Sequence, residues 1–448
     1  MVIEDDAIMK KPSRPLVISV STVMVASAFL FLLLSPASFT YANSSTDDWP
    51  MFHHDLAHTG YSTSKPTATH DTLLWNYTTN SVVSASPAVV DDLVYVGSDG
   101  GVAYCLNASD GSQVWNFSVR TSRVHLGGEG MAISSSMAVA DGLVYFGCYD
   151  RNVYCLNAST GGLVWNFTTG NVVESCPSVA CGYLYVGSWD GNVYCLDASN
   201  GSEIWNYSTS GLVESSPAFA DGCVYVGSAN GVVYCLNASS GEENWNYTTG
   251  GIVESSPAVV NGCLYIGSED DNVYCLNASS GDEIWNFPTQ SWVDSSPAVV
   301  NGYVYVGTGV SSTPDKNVYC LDALTGAKIW NSTTQNGVDS SPAVAGSYVY
   351  VGGWDGNVYC LNASSGADVW TYATGSHVSS SPAVWEGIVY VGSWDHHVYA
   401  FGTPPPLQKS QSRLYIPAEL IYPVVVVIVL ALFAFFVVML RRKNRRLL

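Results

Sequence analysis

The stretch CLNASSGEENW at residues 235–245 decides how this chain folds. Near-copies of it recur along most of the sequence, each ending in a tryptophan, and most intervals between those tryptophans are 40 residues. The tryptophans of the series are Trp75, Trp115, Trp165, Trp205, Trp245, Trp285, Trp330 and Trp370. An internal repeat of this length indicates that one small structural unit is used many times within a single domain.

One complete unit, residues 213–247, has the pattern of four short β-strands. Three apolar runs are separated by Asp221-Gly222 and Asn230-Gly231, pairs that accept the positive φ of tight hairpin turns, and a fourth run surrounds Trp245. Repeated four-stranded antiparallel units of about 40 residues are typical of a β-propeller, whose blades circle a central channel. The position just before the first strand occurs eight times, at Pro87, Met137, Pro177, Pro217, Pro257, Pro297, Pro342 and Pro382. We therefore predict an all-β fold, a single eight-bladed β-propeller of four-stranded blades.

The two ends of the repeat array predict how the ring closes. The last unit stops at residues 398–402 with no tryptophan strand of its own, whereas Trp75 stands before the first unit without a blade. We expect the N-terminal strand around Trp75 to complete the eighth blade, because pairing hides the sheet edges that invite aggregation.

The repeated phrase resembles the tryptophan-docking motif of pyrroloquinoline-quinone-type (PQQ-like) propellers, with a small residue first, Asn or Asp third, Gly seventh and Trp eleventh. The preceding DDWPMFHHDLAHTG at residues 47–60 is similar to the lead-in of many archaeal and bacterial cell-surface members. The resemblance covers about residues 47 to 402. It implies that each docking tryptophan wedges between neighbouring blades, where the indole buries a large apolar area and its N–H finds an acceptor.

The two ends of the chain differ in composition from the repeats. A nearly uncharged stretch at residues 16–35 follows Lys10, Lys11 and Arg14, which favours a secretory signal peptide over a retained N-terminal anchor. Twenty apolar residues at 421–440 predict a transmembrane helix, and the basic cluster after it predicts a cytoplasmic C-terminus and an extracellular propeller. The predicted domains are 1–42, signal peptide or anchor; 43–71, lead-in; 72–402, propeller; 403–420, Pro-rich stalk; 421–440, transmembrane helix; and 441–448, cytoplasmic tail.

The body of the chain is strongly acidic. Between residues 43 and 402 lie 33 of the 37 acidic residues and only six of the 16 basic ones. Such a surface repels phosphate backbones, so nucleic acid is not an expected partner, whereas cations are.

Sequons for N-glycosylation are frequent, as an exported glycoprotein would have them. The thirteen are Asn43, Asn76, Asn107, Asn116, Asn157, Asn166, Asn200, Asn206, Asn237, Asn246, Asn277, Asn331 and Asn362. The strand pattern assigns the Asn-Ala-Ser sequons and Asn200 to turns on one face of the ring, and those directly after a docking tryptophan to its rim.

The twelve cysteines do not form an obvious disulfide framework. Seven occupy the first position of the docking motif once per blade, so we interpret Cys105, Cys155, Cys195, Cys235, Cys275, Cys320 and Cys360 as small buried apolar residues. The others are Cys148, Cys176, Cys181, Cys223 and Cys263. A two-residue turn at Asn230-Gly231 would put Cys223 and Cys235 on opposite faces of a hairpin. Pairing of Cys176 with Cys181 or Cys148 remains open, and no spacing suggests a zinc site.

One face of the ring collects the unusual side chains. It is the face on which each innermost strand begins and the second and third strands of a blade are joined. Acids stand three residues before the strand-A proline on five consecutive blades, at Glu174, Glu214, Glu254, Asp294 and Asp339. They either cap turns and face water, or form a site for Ca²⁺ or a cationic partner. The same face receives Trp189, Trp354, Trp394, His125, His377, His396 and His397, whose aromatic rings suit protein or glycan binding. For His53, His54 and His58 in the lead-in, packing is favoured over metal binding.

Three functions fit these features. The family resemblance suggests a PQQ- and Ca²⁺-dependent dehydrogenase as one hypothesis. However, the family's dehydrogenases hold the quinone beside adjacent cysteines, and this sequence has no Cys-Cys pair. We favour a non-enzymatic protein-binding or scaffolding module on the cell membrane, with no catalytic residues and no cofactor, like the eight-bladed lipoprotein of outer-membrane assembly. A surface-layer or adhesion component is the third possibility.

Overall fold

The computed structural model describes residues 48–119, 131–309 and 315–403, which contain 33 β-strands and no helix. Eight sheets form, and in each the strands follow one another in space as in sequence, except where the ring closes and where a strand of the lead-in joins the blade 7 sheet. We label the strands of a blade A to D from the channel outward.

The strands in chain order are as follows. Before the first blade come β1 (Tyr61–Ser62) and β2 (Leu73–Thr78). Blades 1 and 2 comprise β3 (Ala88–Val90), β4 (Leu93–Ser98), β5 (Val102–Asn107), β6 (Gln113–Ser118), β7 (Ala138–Ala140), β8 (Leu143–Gly147), β9 (Asn152–Asn157) and β10 (Leu163–Thr168). Blades 3 and 4 comprise β11 (Ser178–Ala180), β12 (Tyr183–Gly187), β13 (Asn192–Asp197), β14 (Glu203–Ser208), β15 (Ala218–Ala220), β16 (Cys223–Gly227), β17 (Val232–Asn237) and β18 (Glu243–Thr248). Blades 5 and 6 comprise β19 (Ala258–Val260), β20 (Cys263–Ser268), β21 (Asn272–Asn277), β22 (Glu283–Pro288), β23 (Ala298–Val300), β24 (Tyr303–Gly307), β25 (Asn317–Asp322) and β26 (Lys328–Thr333). Blades 7 and 8 comprise β27 (Ala343–Ala345), β28 (Tyr348–Gly352), β29 (Asn357–Asn362), β30 (Asp368–Ala373), β31 (Ala383–Trp385), β32 (Ile388–Gly392) and β33 (His397–Phe401).

The turns between strands A and B are the tight hairpins that the sequence predicts. Val90 pairs with Leu93, and the two residues between them, Asp91 and Asp92, have φ of 50° and 65°. The B and C strands are buried on both faces, because each blade is packed between two others, which is why they read as continuous apolar runs. The D strands alternate and form the rim.

The predicted ring closure is confirmed. β2 pairs antiparallel with β33, placing Trp75 opposite Ala400, so the N-terminal strand is strand D of blade 8. Closure leaves no blade without its fourth strand.

The lead-in follows the inner edges of the A strands. Trp49 forms an antiparallel bridge with Val89 of blade 1, and β1 pairs in parallel with β27, giving the blade 7 sheet a fifth strand. Between these points, carbonyl groups of Pro50, Leu56, Ala57, Thr59 and Gly60 accept hydrogen bonds from the A-strand N–H groups of Val139, Phe219, Val259, Val299 and Val344. The segment then reaches Gly387 in the A-to-B turn of blade 8. One stretch of about twenty residues therefore ties blades on every side of the ring together.

Each docking tryptophan bridges two blades. The indole N–H of Trp115 donates to the carbonyl oxygen of Ala158 in the next blade at 2.8 Å, and the ring is 8% exposed. The equivalent pairs are Trp75–Ala108, Trp165–Ala198, Trp205–Ala238, Trp245–Ala278, Trp285–Ala323, Trp330–Ala363 and Trp370–Ala68. Ala68 of the lead-in thus takes the place of the C-to-D turn that blade 8 lacks.

A closed circle of hydrogen bonds surrounds the channel where the A strands begin. The residue before each strand-A proline donates its N–H to the side chain of the same residue in the next blade, as Ser86 does to Ser136 Oγ at 3.0 Å. The circle ends where it starts, with Ser381 N donating to Ser86 Oγ at 2.9 Å. Cys176 replaces a serine in it and accepts through sulfur at 3.2 Å. The other bonds join 176–216, 216–256, 256–296, 296–341 and 341–381.

The cysteine predictions need one correction. All twelve cysteines are free, including Cys148, Cys176 and Cys181. Tyr225 rather than Cys223 faces Cys235, and residues 223 and 225 share a face, so the expectation that Cys223 and Cys235 lie on opposite faces is wrong. The cause is the turn: Gly227 pairs with Val233, so an odd number of residues separates the paired positions instead of the expected two, and the residues that share a face change. The amide nitrogen of Asn244 lies 3.4 Å from one sulfur and 3.7 Å from the other.

Several predictions concern residues outside the described part of the chain. These are the signal segment, Asn43, His125, the stalk, the transmembrane helix at 421–440 and the cytoplasmic tail. Within residues 48–119, 131–309 and 315–403, no helix is long and apolar enough to span a bilayer.

Candidate functional site

The acidic side chains predicted for one face come from the extended segments that lead into the A strands. In each blade the second residue after this position is held in the circle around the channel, which fixes where the acid stands. Glu174, Glu214, Glu254, Asp294 and Asp339 occupy five consecutive blades, and Ser84, Ser134 and Ser379 take the position in the other three. We call these five carboxylates, with Glu269 described below, the acidic face.

The carboxylates are close enough to disturb each other's ionisation. Burial, and next the charge of Glu254, raise the pKa of Glu214 to about 8. Burial raises the pKa of Glu254 to about 7 and that of Asp294 to about 8, in each case with a contribution from Glu269. Burial also raises the pKa of Asp339 to about 6. Among the described residues, no lysine or arginine forms a salt bridge with the acidic face, so its negative charge is uncompensated there.

Glu269 is a member of this group that the sequence analysis missed. It opens the B-to-C turn of blade 5, at the position that holds Trp189, Trp354 and Trp394 in other blades. One oxygen from each of Glu254, Glu269 and Asp294 lies within 4.8 Å of the other two. Three carboxylates at this spacing offer the oxygen ligands that hard divalent cations prefer.

Aromatic side chains stand beside the acids at both ends of the arc. In blade 3, Trp189 packs against Tyr149 with ring centroids 5.6 Å apart, and the Tyr149 hydroxyl donates to Glu174 Oε2 at 2.8 Å. The Glu174 carboxylate therefore has a hydrogen-bond donor within the chain.

At the other end, blades 7 and 8 contribute what we call the aromatic cluster, Trp354, His377 and Trp394. The His377 ring lies 5.4 Å from Trp354 and 5.3 Å from Trp394, in edge-to-face geometry, and the two indoles are 6.5 Å apart. Trp394 donates to Ser379 Oγ at 2.8 Å and is 38% exposed. Asp339 adjoins the cluster, since the charge of His377 acts on its carboxyl group.

Polar atoms without partners are concentrated on the same face. Buried side-chain atoms that find no hydrogen-bond partner among the described residues include Trp189 Nε1, Asp294 Oδ1, Asp339 Oδ1, Trp354 Nε1 and His377 Nδ1. Folded proteins satisfy most buried polar groups, so such a concentration calls for an explanation. A ligand that both donates and accepts hydrogen bonds would provide one.

Further predicted residues lie elsewhere on this face. His397 begins β33, where its Nδ1 lies 2.9 Å from the carbonyl oxygen of Asp395, and His396 precedes it in the turn with φ of 73°. Neither is part of the aromatic cluster. Trp292, which the sequence analysis did not single out, is 43% exposed two residues before Asp294.

The lead-in histidines are enclosed by protein. His58 Nδ1 lies 3.2 Å from the carbonyl oxygen of Pro257, its Nε2 lies 3.4 Å from Ser178 Oγ, and Phe52 stacks on His53. Burial lowers the pKa of His53 to about 3 and that of His58 to about 4, so both are neutral at pH 7. These contacts are those of packed side chains.

The described sequons form two groups. Asparagines on the D strands are exposed; they are Asn76, Asn116, Asn166, Asn206, Asn246 and Asn331. Those that end C strands are half-buried, and the side-chain oxygen accepts the N–H group two residues later; they are Asn107, Asn157, Asn237, Asn277 and Asn362. Asn200 lies in a C-to-D turn and is exposed.

Comparison with known proteins identifies the family. The family model described as outer membrane protein assembly factor BamB matches residues 65–171, 149–254, 231–313 and 314–403. No curated protein matches the chain.

Solved structures share the fold at low sequence identity. BamB from Moraxella catarrhalis superposes with a TM-score of 0.61 at 20% identity, over 75% of this chain and 99% of that one. A europium-containing methanol dehydrogenase gives 0.68 at 15% identity, over 80% and 98%. The quinohemoprotein alcohol dehydrogenase of Comamonas testosteroni gives 0.68 at 17% identity, over 88% and 87%. Since the family matches extend over most of the eight-bladed ring, the chain belongs to the PQQ-like β-propeller family that includes BamB.

Proposed function

We propose that this chain is a membrane-anchored extracellular binding or scaffolding module, without enzymatic activity, whose acidic face docks a cationic protein partner. The observation that carries the proposal is the uncompensated arc of carboxylates, in which Glu214, Glu254 and Asp294 have pKa values raised to between about 7 and 8. Removing such groups from water and from counter-charges is costly, and a basic partner would relieve that cost. The hydrophobic end segments of the sequence support anchoring and export.

The apolar side chains around the acids fit a protein partner. Leu212 is 40% exposed and Trp292 is 43% exposed, each two residues before an acid of the arc. Exposed aromatic and aliphatic groups amid charge are characteristic of interaction surfaces.

Capture of partners from native membranes tests the proposal. The full-length chain would be compared with E214Q/E254Q/D294S and with D92N/D141N/D221N, which also removes three charges but at A-to-B turns on the opposite face; serine replaces Asp294 because asparagine there would create an N-glycosylation sequon. Asp92, Asp141 and Asp221 have φ of 65°, 51° and 50°, a conformation that asparagine tolerates, so the control should fold normally. We expect the first variant to lose its partners and the control to keep them. Identical partners for all three proteins would refute the acidic face as the docking site.

A divalent cation is a second candidate ligand of the same face, because carboxylate oxygens of Glu254, Glu269 and Asp294 lie within 4.8 Å of one another. We expect Ca²⁺ to raise the melting temperature and to give a calorimetric signal that E269Q abolishes. No change in either quantity would remove the cation and leave the protein-binding proposal standing.

A PQQ- and Ca²⁺-dependent dehydrogenase is the enzymatic alternative, favoured by the dehydrogenases among the similar structures. The three carboxylates suit the metal ion, whereas the sequence has no adjacent cysteine pair of the kind that the resemblance associates with the quinone. Incubation of the protein with PQQ and Ca²⁺ is expected to give neither a bound chromophore nor dye-linked alcohol oxidation. Either signal would replace the scaffold proposal with the enzyme.

A surface-layer or adhesion component is the other alternative, and the exposed sequon asparagines of the D strands favour it. It predicts an ordered array of copies in electron micrographs of the cell surface, and the proposed module predicts dispersed copies.

A further inference from the structure

We infer that the aromatic cluster, together with Asp339, receives a guanidinium or alkylammonium group, the side chain of an arginine or lysine on the partner. This inference rests on the function proposed above and names the chemistry by which the acidic face would recognise that partner. It locates recognition in blades 7 and 8, at one end of the arc.

The first argument is the accessible aromatic surface. His377 holds the two indoles in place through edge-to-face contacts at 5.4 and 5.3 Å, and 38% of Trp394 remains exposed. The π-face of an indole attracts cations, and arginine stacks on it especially well.

The second argument is the unused hydrogen-bonding capacity beside that surface. Oδ1 of Asp339 and Nε1 of Trp354 are both buried, and neither completes a hydrogen bond of normal geometry among the described residues, although the indole N–H is near enough to favour the ionised form of the carboxyl group. A cationic side chain would supply the N–H group that Asp339 lacks. A backbone carbonyl of the same peptide would accept a hydrogen bond from Trp354 Nε1. Leaving a buried polar group unpaired typically costs about 1–3 kcal/mol, so a ligand that pairs both is favoured.

The third argument is a contrast within the ring. Blade 3 also combines an indole with an acid, but there the Tyr149 hydroxyl occupies Glu174 at 2.8 Å. The Glu174 carboxylate thus accepts a hydrogen bond of normal length, whereas Asp339 Oδ1 has the Trp354 indole nearby without completing such a bond. Trp189 therefore provides a matched control for Trp394.

Charge distinguishes this ligand from a neutral sugar, which aromatic rings also bind. Asp294, in the neighbouring blade, feels the charges of Glu254, Glu269 and Asp339, so a cation at the cluster is attracted by several carboxylates at once. A neutral glycan gains nothing from that field.

The test uses the full-length chain in detergent and fluorescently labelled tetraarginine, tetralysine and tetracitrulline amides, with binding followed by anisotropy at physiological salt. Citrulline keeps the shape of arginine without its charge. We expect the two cationic peptides to bind and tetracitrulline to bind at least tenfold more weakly. D339S and W394L should each weaken tetraarginine binding at least tenfold, and W189L should change it less than twofold; serine is chosen because D339N would create an N-glycosylation sequon with Ser341. Melting temperatures within a few degrees of the parent establish that the variants are folded.

Each contrary outcome has a distinct meaning. Equal losses for W189L and W394L, or equal binding of tetracitrulline, would overturn the inference. So would competition by a neutral oligosaccharide such as chitobiose. If E214Q/E254Q/D294S abolishes peptide binding while D339S and W394L do not, the proposed function survives and this inference fails. If no cationic peptide binds and no partner is captured from membranes, both fail.

Discussion

The indole nitrogen of Trp370 donates a hydrogen bond of 2.9 Å to the carbonyl oxygen of Ala68, 302 residues earlier in the chain. At the other seven interfaces between neighbouring blades, which we call seams, the acceptor belongs to a C-to-D turn. Blade 8 takes its fourth strand from the N-terminus and has no such turn. The seam between blades 7 and 8 therefore depends on a segment that only tertiary structure holds in place.

Replacing the seam tryptophan should loosen the closing strand. W370F and W245F each remove one buried indole hydrogen bond, which costs about 1 kcal/mol. Only W370F should also accelerate hydrogen exchange in Leu73–Thr78, because Ala68 lies five residues before that strand. Exchange mass spectrometry on both variants provides the measurement. Equal protection of the strand in W370F and W245F would show that closure does not depend on this contact.

The acidic face should make stability fall as pH rises. The folded-state pKa values of Glu214, Glu254 and Asp294 are about 8, 7 and 8, against ordinary values of 4.5, 4.5 and 3.8. Between pH 4 and 8 the folded protein therefore retains protons that the unfolded chain has released. The stability these groups contribute is fully present below about pH 4 and is lost as pH approaches 8.

Urea unfolding at pH 5 and pH 8 measures this effect. E214Q/E254Q/D294S should be more stable than the parent at pH 8, by about 2 kcal/mol, and the gain should shrink at pH 5. His53 and His58 act in the opposite sense, because their lowered pKa values destabilise the fold as pH falls below 6.5. Both proteins contain these two histidines, so their contribution drops out of the difference in unfolding free energy between variant and parent. A difference that is constant with pH would contradict the raised pKa values.

Alanine substitutions at two glycines would distinguish the cost of backbone strain from the cost of a steric clash. Gly262 and Gly281 both have φ of +76°, but a Cβ at Gly262 would meet nothing within 4 Å, whereas at Gly281 it would lie 2.7 Å from the Trp245 ring. G262A should cost about 1 kcal/mol of unfolding free energy, and G281A about 3 kcal/mol or more because the docked indole must move. Chemical denaturation gives both values. Equal costs would mean that the indole is not held tightly in its site.

Thiol reactivity should follow burial. Cys181 is exposed in an A-to-B turn, whereas Cys105 and Cys195 are buried, and burial raises the pKa of each to about 12. Maleimide should label Cys181 first in the native protein, and C181S should remove that fast phase. Mass spectrometry after timed alkylation identifies the site, and rapid labelling of the docking-motif cysteines would show that blades separate in solution.

The fold was predictable because the repeat supplies the same turn signals in blade after blade. Asp221-Gly222 and its equivalents fix the A-to-B hairpins, and the unmatched Trp75 indicates closure by the N-terminal strand. The path of the lead-in was not predictable, since it binds through backbone carbonyls, such as those of Ala57 and Thr59, which leave no side-chain pattern.

The site was predictable only in part. Five acids were placed on one face by their distance from a repeated proline, but Glu269 was missed because its position varies among the blades and is aromatic in four of the other seven. The prediction for Cys223 and Cys235 was wrong because Asn230-Gly231 forms only part of a longer turn, and the sequence does not show where that turn begins.

The pairing of Leu73–Thr78 with His397–Phe401 sets an order for biosynthesis. A ribosome releases the first of these strands more than 300 residues before the second exists, so the early strand has to wait, unpaired, until translation has nearly ended. A premature stop anywhere before residue 397 would leave the N-terminal strand without a partner, and quality-control proteases would encounter an open chain in place of a closed ring.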